Sequence, residues 1–495
     1  MVIAMTAPVS QEKENYQRLE TLGDTVLKFV TGIQLLAEYP LWHEGYLSRK
    51  KDHAVSNVRL AKEAIAKGLY RWIIRDRMLG KKWKPNYLNG SDSVKNEPDV
   101  EPSPVVETDE KAKKKKQRQE LSTKVLADVV ESLIGAAYIH GGFNLGYECI
   151  KFFDLGLKWQ PLQDRVNTMI SRVNELDDLP PQLAYVERML GYTFKRKLIL
   201  VEALTHGSYE QNLHTPSYER MEFLGDSVLD MVVTDFLYHA PGKNYSPGHM
   251  FLRKSAMVNA HILAYTCLSS STPIDAAMPG PNGEGMIAIQ PNTHLIYLWQ
   301  CLLHSSPRVL DDQTNTFARY RRRRAEIEET LQQGTMFPWA ELTRLQAPKF
   351  FSDMVESLLG AVYLDSNGDL DAARQVLRSL GIMQILEHIV REDVDVLHPV
   401  SRLSMWASNH DKELEYLYEK QKGNVSCVIV VDGKEEVRCT EQYRGHASQE
   451  EVKFLAAEMA IKTFRLRNVG VNYMLLKKKR GPTRKKKKRV VNEAK

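Results

Sequence analysis

The chain has 495 residues, 43% hydrophobic content, five scattered cysteines and a formal net charge of +6. This length predicts about three domains with real hydrophobic cores, and cysteines without a CxxC pair argue against a disulfide framework or a zinc site. The apolar runs are shorter than a membrane span and the N-terminus lacks a secretory signal pattern, so we expect a soluble, intracellular protein that spans no membrane.

The first predicted element is an amphipathic helix over RLETLGDTVLKFVTGIQLLAEY, residues 18–39. Its apolar residues follow the three-and-four spacing of a helix with one buried face. Glu20 and Asp24 are four residues apart, so one side of the helix carries both carboxylates. Gly23 lies between them. Because a glycine inside a helix costs about 1 kcal/mol relative to alanine, we expect another part of the molecule to approach this backbone closely.

A second acidic pair follows a polar insertion. Residues 85–120 are rich in Pro, Ser and charge, which predicts a disordered surface loop. LADVVESLIGAAYI, residues 126–139, then predicts a helix with Asp128 and Glu131 three residues apart. An isolated acidic pair at this spacing is usually a solvated or salt-bridged face. The apolar residues on both sides argue against that interpretation here, and Gly135 suits tight helix packing.

Four sequence blocks recur in the same order later in the chain. The two acidic blocks return as RMEFLGDSVL at 220–229 and FSDMVESLLGAVYL at 351–364, and shorter echoes pair AMT with ALT and VSNVRLA with VNAHILA. The offset between copies is 202 residues at the first acidic block and 225 at the second, so the second copy holds 23 more residues between them. We predict two homologous helical domains with unequal insertions. The acids that match those of the first copy are Glu222, Asp226, Asp353 and Glu356.

The second insertion, residues 269–334, joins a Pro/Gly-rich part to a segment typical of a helix, ARYRRRRAEIEETLQQ. Four consecutive arginines there either follow a nucleic-acid backbone or form an exposed helix face, and the second meaning is the more common. Gly225 and Gly360 repeat the helix glycines of the first copy.

Two facing helices in each copy would bring four carboxylates to one place. Carboxylates that close repel each other and raise each other's pKa unless cations neutralise them. Oxygen ligands suit Mg²⁺, and two such ions can activate a water and stabilise the leaving oxygen at one phosphodiester. The pattern therefore predicts a divalent-metal centre in each copy.

These blocks together resemble the ribonuclease III family. RLETLGDTVL and RMEFLGDSVL resemble its signature, DVVESLIGAAY and DMVESLLGAVY its second acidic block, and ALTHGSY, residues 203–209, its opening motif. Two such domains in tandem resemble the C-terminal half of Dicer, and the long insertions are similar to those of fungal Dicer-like proteins.

The resemblance implies an endonuclease that uses Mg²⁺, or alternatively Mn²⁺, to cleave double-stranded RNA. It implies that the two domains pair within the chain and that each centre cuts one strand, leaving 5′ phosphates and short 3′ overhangs. It also implies a role in RNA silencing and antiviral defence, with silencing-complex proteins as partners. The residues implied to bind metal and to catalyse are Glu20, Asp24, Asp128, Glu131, Glu222, Asp226, Asp353 and Glu356.

Other interpretations stay open. A non-catalytic RNA-binding scaffold and a helical dimerisation module are the rivals, and retention of all eight acids favours the enzyme. Only three residues precede Ala4, where the second copy has LGYTFKRKLILVE before Ala203. Family members also carry a helicase-like region and a terminus-binding module upstream, and no P-loop motif occurs here. We therefore expect an N-terminally incomplete first domain, and an inactive fragment is a further alternative.

The region after the repeats predicts a small α+β domain. HPVSRLSMWASNHDKELEYLY, residues 398–418, is interpreted as a helix, followed by strands around the favoured turn Asp432–Gly433 and a closing helix. This α-β-β-β-α order resembles a double-stranded RNA-binding domain, which reads A-form shape and phosphates. Glu450 and Glu451 stand where that family usually has lysines, so weak RNA binding and a purely structural role are both open.

A basic tail ends the chain. Residues 473–495 hold eleven Lys or Arg and one acid, Glu493. This composition is typical of a phosphate-binding arm, a nuclear address or a solvated terminus, so a cytoplasmic and a nuclear location are both open. The predicted fold is mostly α, with two all-α ribonuclease III domains. The predicted limits are 1–160 (insertion about 85–120), 180–390 (insertion about 269–334), 398–468 for the RNA-binding-like domain and 473–495 for the tail.

Overall fold

The structure, a computed structural model, describes residues 1–75, 121–173, 179–210, 216–281, 287–421, 423–442 and 447–466. The predicted loop at 85–120 and the basic tail at 473–495 lie outside these residues. The chain divides into two compact units, Met1–Ala325 with Ala347–Val390 and Glu326–Gln346 with Arg391–Lys495. The mostly helical fold is confirmed, whereas the domain limits stay a prediction. Among the helices described, none has the length and apolarity needed to cross a membrane.

The described residues of the first repeat form six α-helices. Ser56 and Ser122 cap two of them, each accepting a hydrogen bond from a backbone N–H three residues on. Gly142, with φ of 63°, kinks the longest helix. The helices are α1 (Val2–Met5), α2 (Gln17–Glu38), α3 (Glu44–Ala54), α4 (Asn57–Ala66), α5 (Thr123–Phe152) and α6 (Leu162–Ile170).

The second repeat follows the same plan with a larger insertion. That insertion contains an antiparallel hairpin, β1 (Ser271–Pro281) with β2 (Ile287–Tyr297), which the sequence analysis did not predict. It also contains the predicted basic helix, α12 (Pro307–Gln333). The other helices are α7 (Leu183–Leu190), α8 (Lys197–Leu204), α9 (Glu219–Tyr238), α10 (Pro247–Met257), α11 (Ala260–Ser269), α13 (Trp339–Thr343), α14 (Phe350–Asp365), α15 (Leu370–Ser379) and α16 (Ile382–Arg391).

Glycines let the acid-bearing helices cross with their backbones in contact. A Cβ at Gly23 on α2 would overlap the Glu131 carbonyl oxygen on α5, and a Cβ at Gly225 on α9 would overlap the Glu356 carbonyl oxygen on α14. Each crossing has a second glycine: Gly135 lies against the backbone of α2, and Gly360 lies against that of α9. The predicted close approach is confirmed. It fixes the depth at which each pair of helices meets.

The two repeats contact each other along α2 and α9. The Thr25 hydroxyl lies 3.4 Å from the Thr234 hydroxyl, and a Cβ at Gly32 would lie 3.3 Å from the Ser227 hydroxyl oxygen. With the 202-residue offset, Thr25 matches Ser227 and Gly32 matches Thr234. The two contacts are therefore the same contact made twice, as expected for two repeats related by a pseudo-two-fold axis.

The second unit contains the small α+β domain. Strands β3 (Leu414–Gln421), β4 (Asn424–Val431) and β5 (Lys434–Gln442) form one antiparallel sheet in that order. Helices α17 (Pro399–Asn409) and α18 (Ala447–Thr463) flank it in sequence. The predicted α-β-β-β-α order is thus confirmed, and the turn at Asp432 and Gly433 has the expected positive φ values of 53° and 79°.

One element of this domain was predicted wrongly. Residues 414–418 belong to β3, not to a continuation of the preceding helix. Asp411, with φ of 52°, takes the left-handed conformation that ends helices. Beyond it, Leu414 lies opposite Val431 and Tyr416 opposite Ile429 in the ladder with β4, a pairing that the local sequence does not reveal.

The second unit also uses residues from the segment that follows the insertion of the second repeat. The Trp339 indole N–H donates to the Val396 carbonyl oxygen at 3.2 Å, and the Trp339 ring lies 4.8 Å from that of His398. Gln346 donates to the Glu451 carboxylate on α18. The core of this unit therefore begins well before residue 398.

Gly225→Ala should destabilise the second repeat. The added methyl has no space against the Glu356 carbonyl, and overpacking of this kind costs about 1–3 kcal/mol, more than the ~1 kcal/mol that alanine gains in helix propensity. Thermal unfolding measures the effect. Gly207→Ala is the matched control, because a Cβ there meets nothing within 4 Å. An unchanged melting temperature for Gly225→Ala would contradict the tight crossing.

Candidate metal centres

The first centre forms where α2 crosses α5. Glu20 comes from α2, and Asp128 and Glu131 come from α5. One ligand oxygen from each lies within 4.8 Å of the others. Asp128 and Glu131 are only 5% and 7% exposed, because the glycine crossing draws the two helices together around them. Three of the four carboxylates predicted for this centre thus converge.

The second centre repeats this arrangement where α9 crosses α14. Glu222, Asp353 and Glu356 each offer an oxygen within the same 4.8 Å limit. Glu222 is 9% exposed and Asp353 is 4% exposed. The two copies of the acidic blocks therefore build two centres of the same composition.

The fourth predicted carboxylate lies at the rim of each centre, outside its group of three. Asp24 accepts a hydrogen bond from Lys28 at 2.7 Å, and the Asp226 carboxylate lies 3.9 Å from the Lys51 ammonium. Their charges still act on the buried acids, since Asp24 raises the pKa of Glu131 and Asp226 raises that of Glu356. The four-residue spacing put Asp24 on the same side of the helix as Glu20, and Asp226 on the same side as Glu222. It did not show how far each acid lies from the group of three.

Burial and mutual repulsion hold protons on these carboxylates. Burial first, and then the charges of Asp24 and Asp128, raise the pKa of Glu131 to about 9. Burial and Asp353 raise the pKa of Glu222 to about 7. Burial and the neighbouring acids raise the pKa of Glu356 well above its ordinary value. Full ionisation of the three acids in each centre therefore requires positive charge close to them.

Each centre contains a lysine that bridges two of its acids and that the acidic pattern did not predict. Lys124 donates to Asp128 at 2.9 Å and to Glu20 at 3.4 Å. Lys349 donates to Asp353 at 2.8 Å and to Glu222. The two lysines are 225 residues apart, the offset of the second acidic block. They lie two residues upstream of the repeated blocks that begin at Leu126 and Phe351, so a slightly longer repeat comparison would have found them.

A tyrosine also supports each centre. The Tyr16 hydroxyl donates to Asp128 at 3.2 Å, and the Tyr218 hydroxyl donates to Asp353 at 3.3 Å. The two are separated by 202 residues, the offset of the first acidic block. Each hydrogen bond fixes one carboxylate oxygen and leaves the other for the lysine or a cation.

The short AMT and ALT echoes have a structural reason. The Ser132 hydroxyl donates to the Ala4 carbonyl oxygen at 2.6 Å, and the Ser357 hydroxyl donates to the Ala203 carbonyl oxygen at 2.7 Å. Both serines are buried one residue after the last acid of their centre. The echoed segments therefore anchor the helices that carry the acids.

The residues present fit a divalent cation. Each centre offers three carboxylates against one lysine ammonium, so a net negative charge remains when the acids are ionised. The donor set of each group is oxygen only, which suits Mg²⁺ or Mn²⁺ better than the softer metals that prefer thiolate or imidazole. The raised pKa values of Glu131, Glu222 and Glu356 mean that full ionisation of either centre is unfavourable without a further cation.

Both repeats match a known protein family. The model of the ribonuclease III domain family matches residues 17–142 and 219–367. Together these matches cover more than half of the chain and contain every acid of the two centres. The chain belongs to the ribonuclease III domain family.

Fungal relatives match over nearly the whole chain. It is 35% identical over 475 residues to Dicer-like protein 2 of Coccidioides immitis, covering 95% of this chain and 31% of that protein. For Dicer-like protein 2 of Neosartorya fischeri the identity is 34% over 470 residues, covering 93% of this chain and 32% of that protein. The chain thus spans about a third of the length of these curated relatives.

A solved structure also matches. The crystal structure of Dicer from Giardia intestinalis aligns with 76% of this chain and 55% of that chain, at 15% identity and a TM-score of 0.36.

Metal-free protein should become more stable when Glu131 is replaced by Gln. A carboxyl whose pKa is raised to about 9 stabilises the fold while protonated, and this contribution is lost as pH rises from about 4.5, its unfolded value, through 9. The melting temperature of Glu131→Gln should exceed that of the unmodified protein by roughly 2–4 °C at pH 8, the shift produced by about 1 kcal/mol. The two should converge near pH 5.

Divalent cation should reverse this order. Mg²⁺ or Mn²⁺ at pH 8 stabilises a centre with three carboxylates through binding to the folded state, and it stabilises the Gln variant less. Differential scanning fluorimetry with and without EDTA measures both effects. Glu148→Gln, an exposed acid on the same helix, should behave as the unmodified protein. Equal pH dependence of Glu131→Gln and the unmodified protein would contradict the electrostatic account.

Proposed function

We propose that this chain cleaves double-stranded RNA with Mg²⁺, or alternatively Mn²⁺, through two metal centres that each cut one strand. The observation that carries the proposal is the duplicated centre: two groups of three carboxylates, two buried and one half-buried in each, with the same lysine and tyrosine, in one compact unit. A single acidic cluster of this kind is often only structural. Two copies with equal composition favour a pair of sites that work on the two strands of one substrate.

We propose the same eight acids as ligands and catalytic residues. In the first centre Glu20, Asp128 and Glu131 would hold the cation, with Asp24 at the rim. In the second, the corresponding residues are Glu222, Asp353, Glu356 and Asp226. A divalent cation held there supplies charge neutralisation at the phosphate and a water of lowered pKa.

The other residues of each centre then have definite tasks. The hydroxyls of Tyr16 and Tyr218 hold one carboxylate oxygen in place. The side chains of Lys124 and Lys349 are 67% and 70% exposed. Their positive charges therefore face solvent, where they attract the phosphate backbone of RNA.

The contact between α2 and α9 supports cleavage of both strands. It holds the two centres in one unit, so one binding event presents a duplex to both. Product ends with 5′ phosphates and short 3′ overhangs, and a role in RNA silencing and antiviral defence with silencing-complex proteins as partners, belong to this proposal through the resemblance to Dicer-like proteins.

For the second unit we propose at most weak RNA binding. Glu451, at the start of α18, is 7% exposed and accepts a hydrogen bond from Gln346. Burial and Glu341 raise the pKa of Glu458, two turns further along the helix, to about 7. This end of α18 is therefore acidic and partly covered by the protein itself, an unfavourable surface for phosphates.

Cleavage of a duplex labelled on either strand tests the proposal. With Mg²⁺, the unmodified chain should cut both strands, Glu131→Gln and Glu356→Gln should each cut only one, and the double variant should cut neither. Each loss should exceed the 10–100-fold that follows removal of an outer-shell partner of a metal, because these acids are proposed direct ligands. Glu148→Gln is the control and should retain both cuts.

Two outcomes would reject parts of this assignment. Full cleavage by the double variant would exclude these acids as the catalytic residues. Tight duplex binding without cleavage by the unmodified chain, in Mg²⁺ and in Mn²⁺, would favour the non-catalytic scaffold instead.

A further inference from the structure

A lysine from the first repeat reaches the second metal centre. Lys51 lies on α3, which packs against α9 of the second repeat. Its ammonium is 3.9 Å from the Asp226 carboxylate and 4.7 Å from the centre of the Phe223 ring. The Lys51 side chain is only 12% exposed. Surface lysines are rarely held this way, so the position of the Lys51 ammonium is fixed by the contact between the repeats.

The first centre obtains its rim cation differently. There Asp24 pairs with Lys28, one turn further along the same helix, at 2.7 Å. With the 202-residue offset, Asp230 stands in the second copy where Lys28 stands in the first. The rim acid of the second centre therefore has another acid, instead of a lysine, one turn away on its own helix.

The carboxylates of Asp226 and Asp230 are one helical turn apart on α9, so their like charges repel each other. Asp230 pairs with Lys254 at 2.7 Å. Lys254 is therefore engaged by Asp230, whereas Asp226 pairs with Lys51 at 3.9 Å. This ion-pair partner of Asp226 comes from the other repeat.

We propose that Lys51 is a positioning residue which the first repeat supplies to the second metal centre. It holds the Asp226 carboxylate in position at the rim, through the ion pair between the repeats, against the repulsion of Asp230. The second centre is then complete only while the two repeats are paired, whereas the first centre carries its own rim lysine. This inference rests on the proposed metal-binding role of these acids and extends it.

Manganese binding to the full chain with one centre disabled tests the inference. Glu131→Gln leaves the second centre intact, and Glu356→Gln leaves the first. Adding Lys51→Met should weaken Mn²⁺ binding about tenfold in the Glu131→Gln chain, the lower end of the loss on removing an outer-shell partner. It should leave binding unchanged in the Glu356→Gln chain. Electron paramagnetic resonance of free Mn²⁺ measures both titrations.

Two further variants separate charge from packing. Lys51→Arg keeps the charge and should restore most of the affinity. Lys50→Met changes the neighbouring lysine, which lies over the Tyr39 ring instead, and should leave both titrations unchanged. Equal weakening in the two chains, no weakening in either, or no rescue by arginine would overturn the proposal.

Strand-resolved cleavage gives a second readout. In the otherwise unmodified chain, Lys51→Met should reduce only the cut that Glu356→Gln abolishes. If the unmodified chain cuts no duplex at all, the proposed nuclease function fails, while the Mn²⁺ titrations still decide the role of Lys51.

Discussion

Both metal centres depend on a backbone contact between two helices. At each crossing a glycine on one helix faces the carbonyl of a glutamate on the other, Gly23 with Glu131 and Gly225 with Glu356. Any side chain there would push the helices apart. With the glycines, the carboxylates meet at a depth where water is excluded and their repulsion is strong. The fold thus accepts a locally unfavourable charge cluster, as active sites commonly do, and gains a site that favours cations.

Pairing of the repeats adds a second level to this arrangement. The contact between α2 and α9 is made by the same helices that carry Glu20 and Glu222. We call this contact between α2 and α9 the seam. The first acid of each centre therefore lies on a helix that also forms the seam. A shift of either helix at the seam would therefore also move the acid that this helix carries.

The sequence predicted the parts of this structure that are set by local spacing and by the internal repeat. Helical periodicity located the acidic pairs, and the duplication separated them from ordinary surface acids. It could have located Lys124 and Tyr16 too, since both recur at the repeat offsets. Other features depend on partners distant in sequence. Strand β3 is fixed by its ladder with β4, and the rim position of Asp24 is fixed by how α2 is rotated against α5.

Comparison of the copies also shows where the two centres stopped being equivalent. The acids, glycines, lysines and tyrosines inside the centres match, whereas position 28 of the first copy is Lys and the matching position 230 is Asp. Lys254, which matches Lys51, pairs with Asp230 of its own repeat. The supporting charges of the second centre are thus shared across the seam, and those of the first include a lysine on the same helix. Loosening of the seam should therefore disturb Asp226 before it disturbs Asp24, even though the two sets of acids are identical.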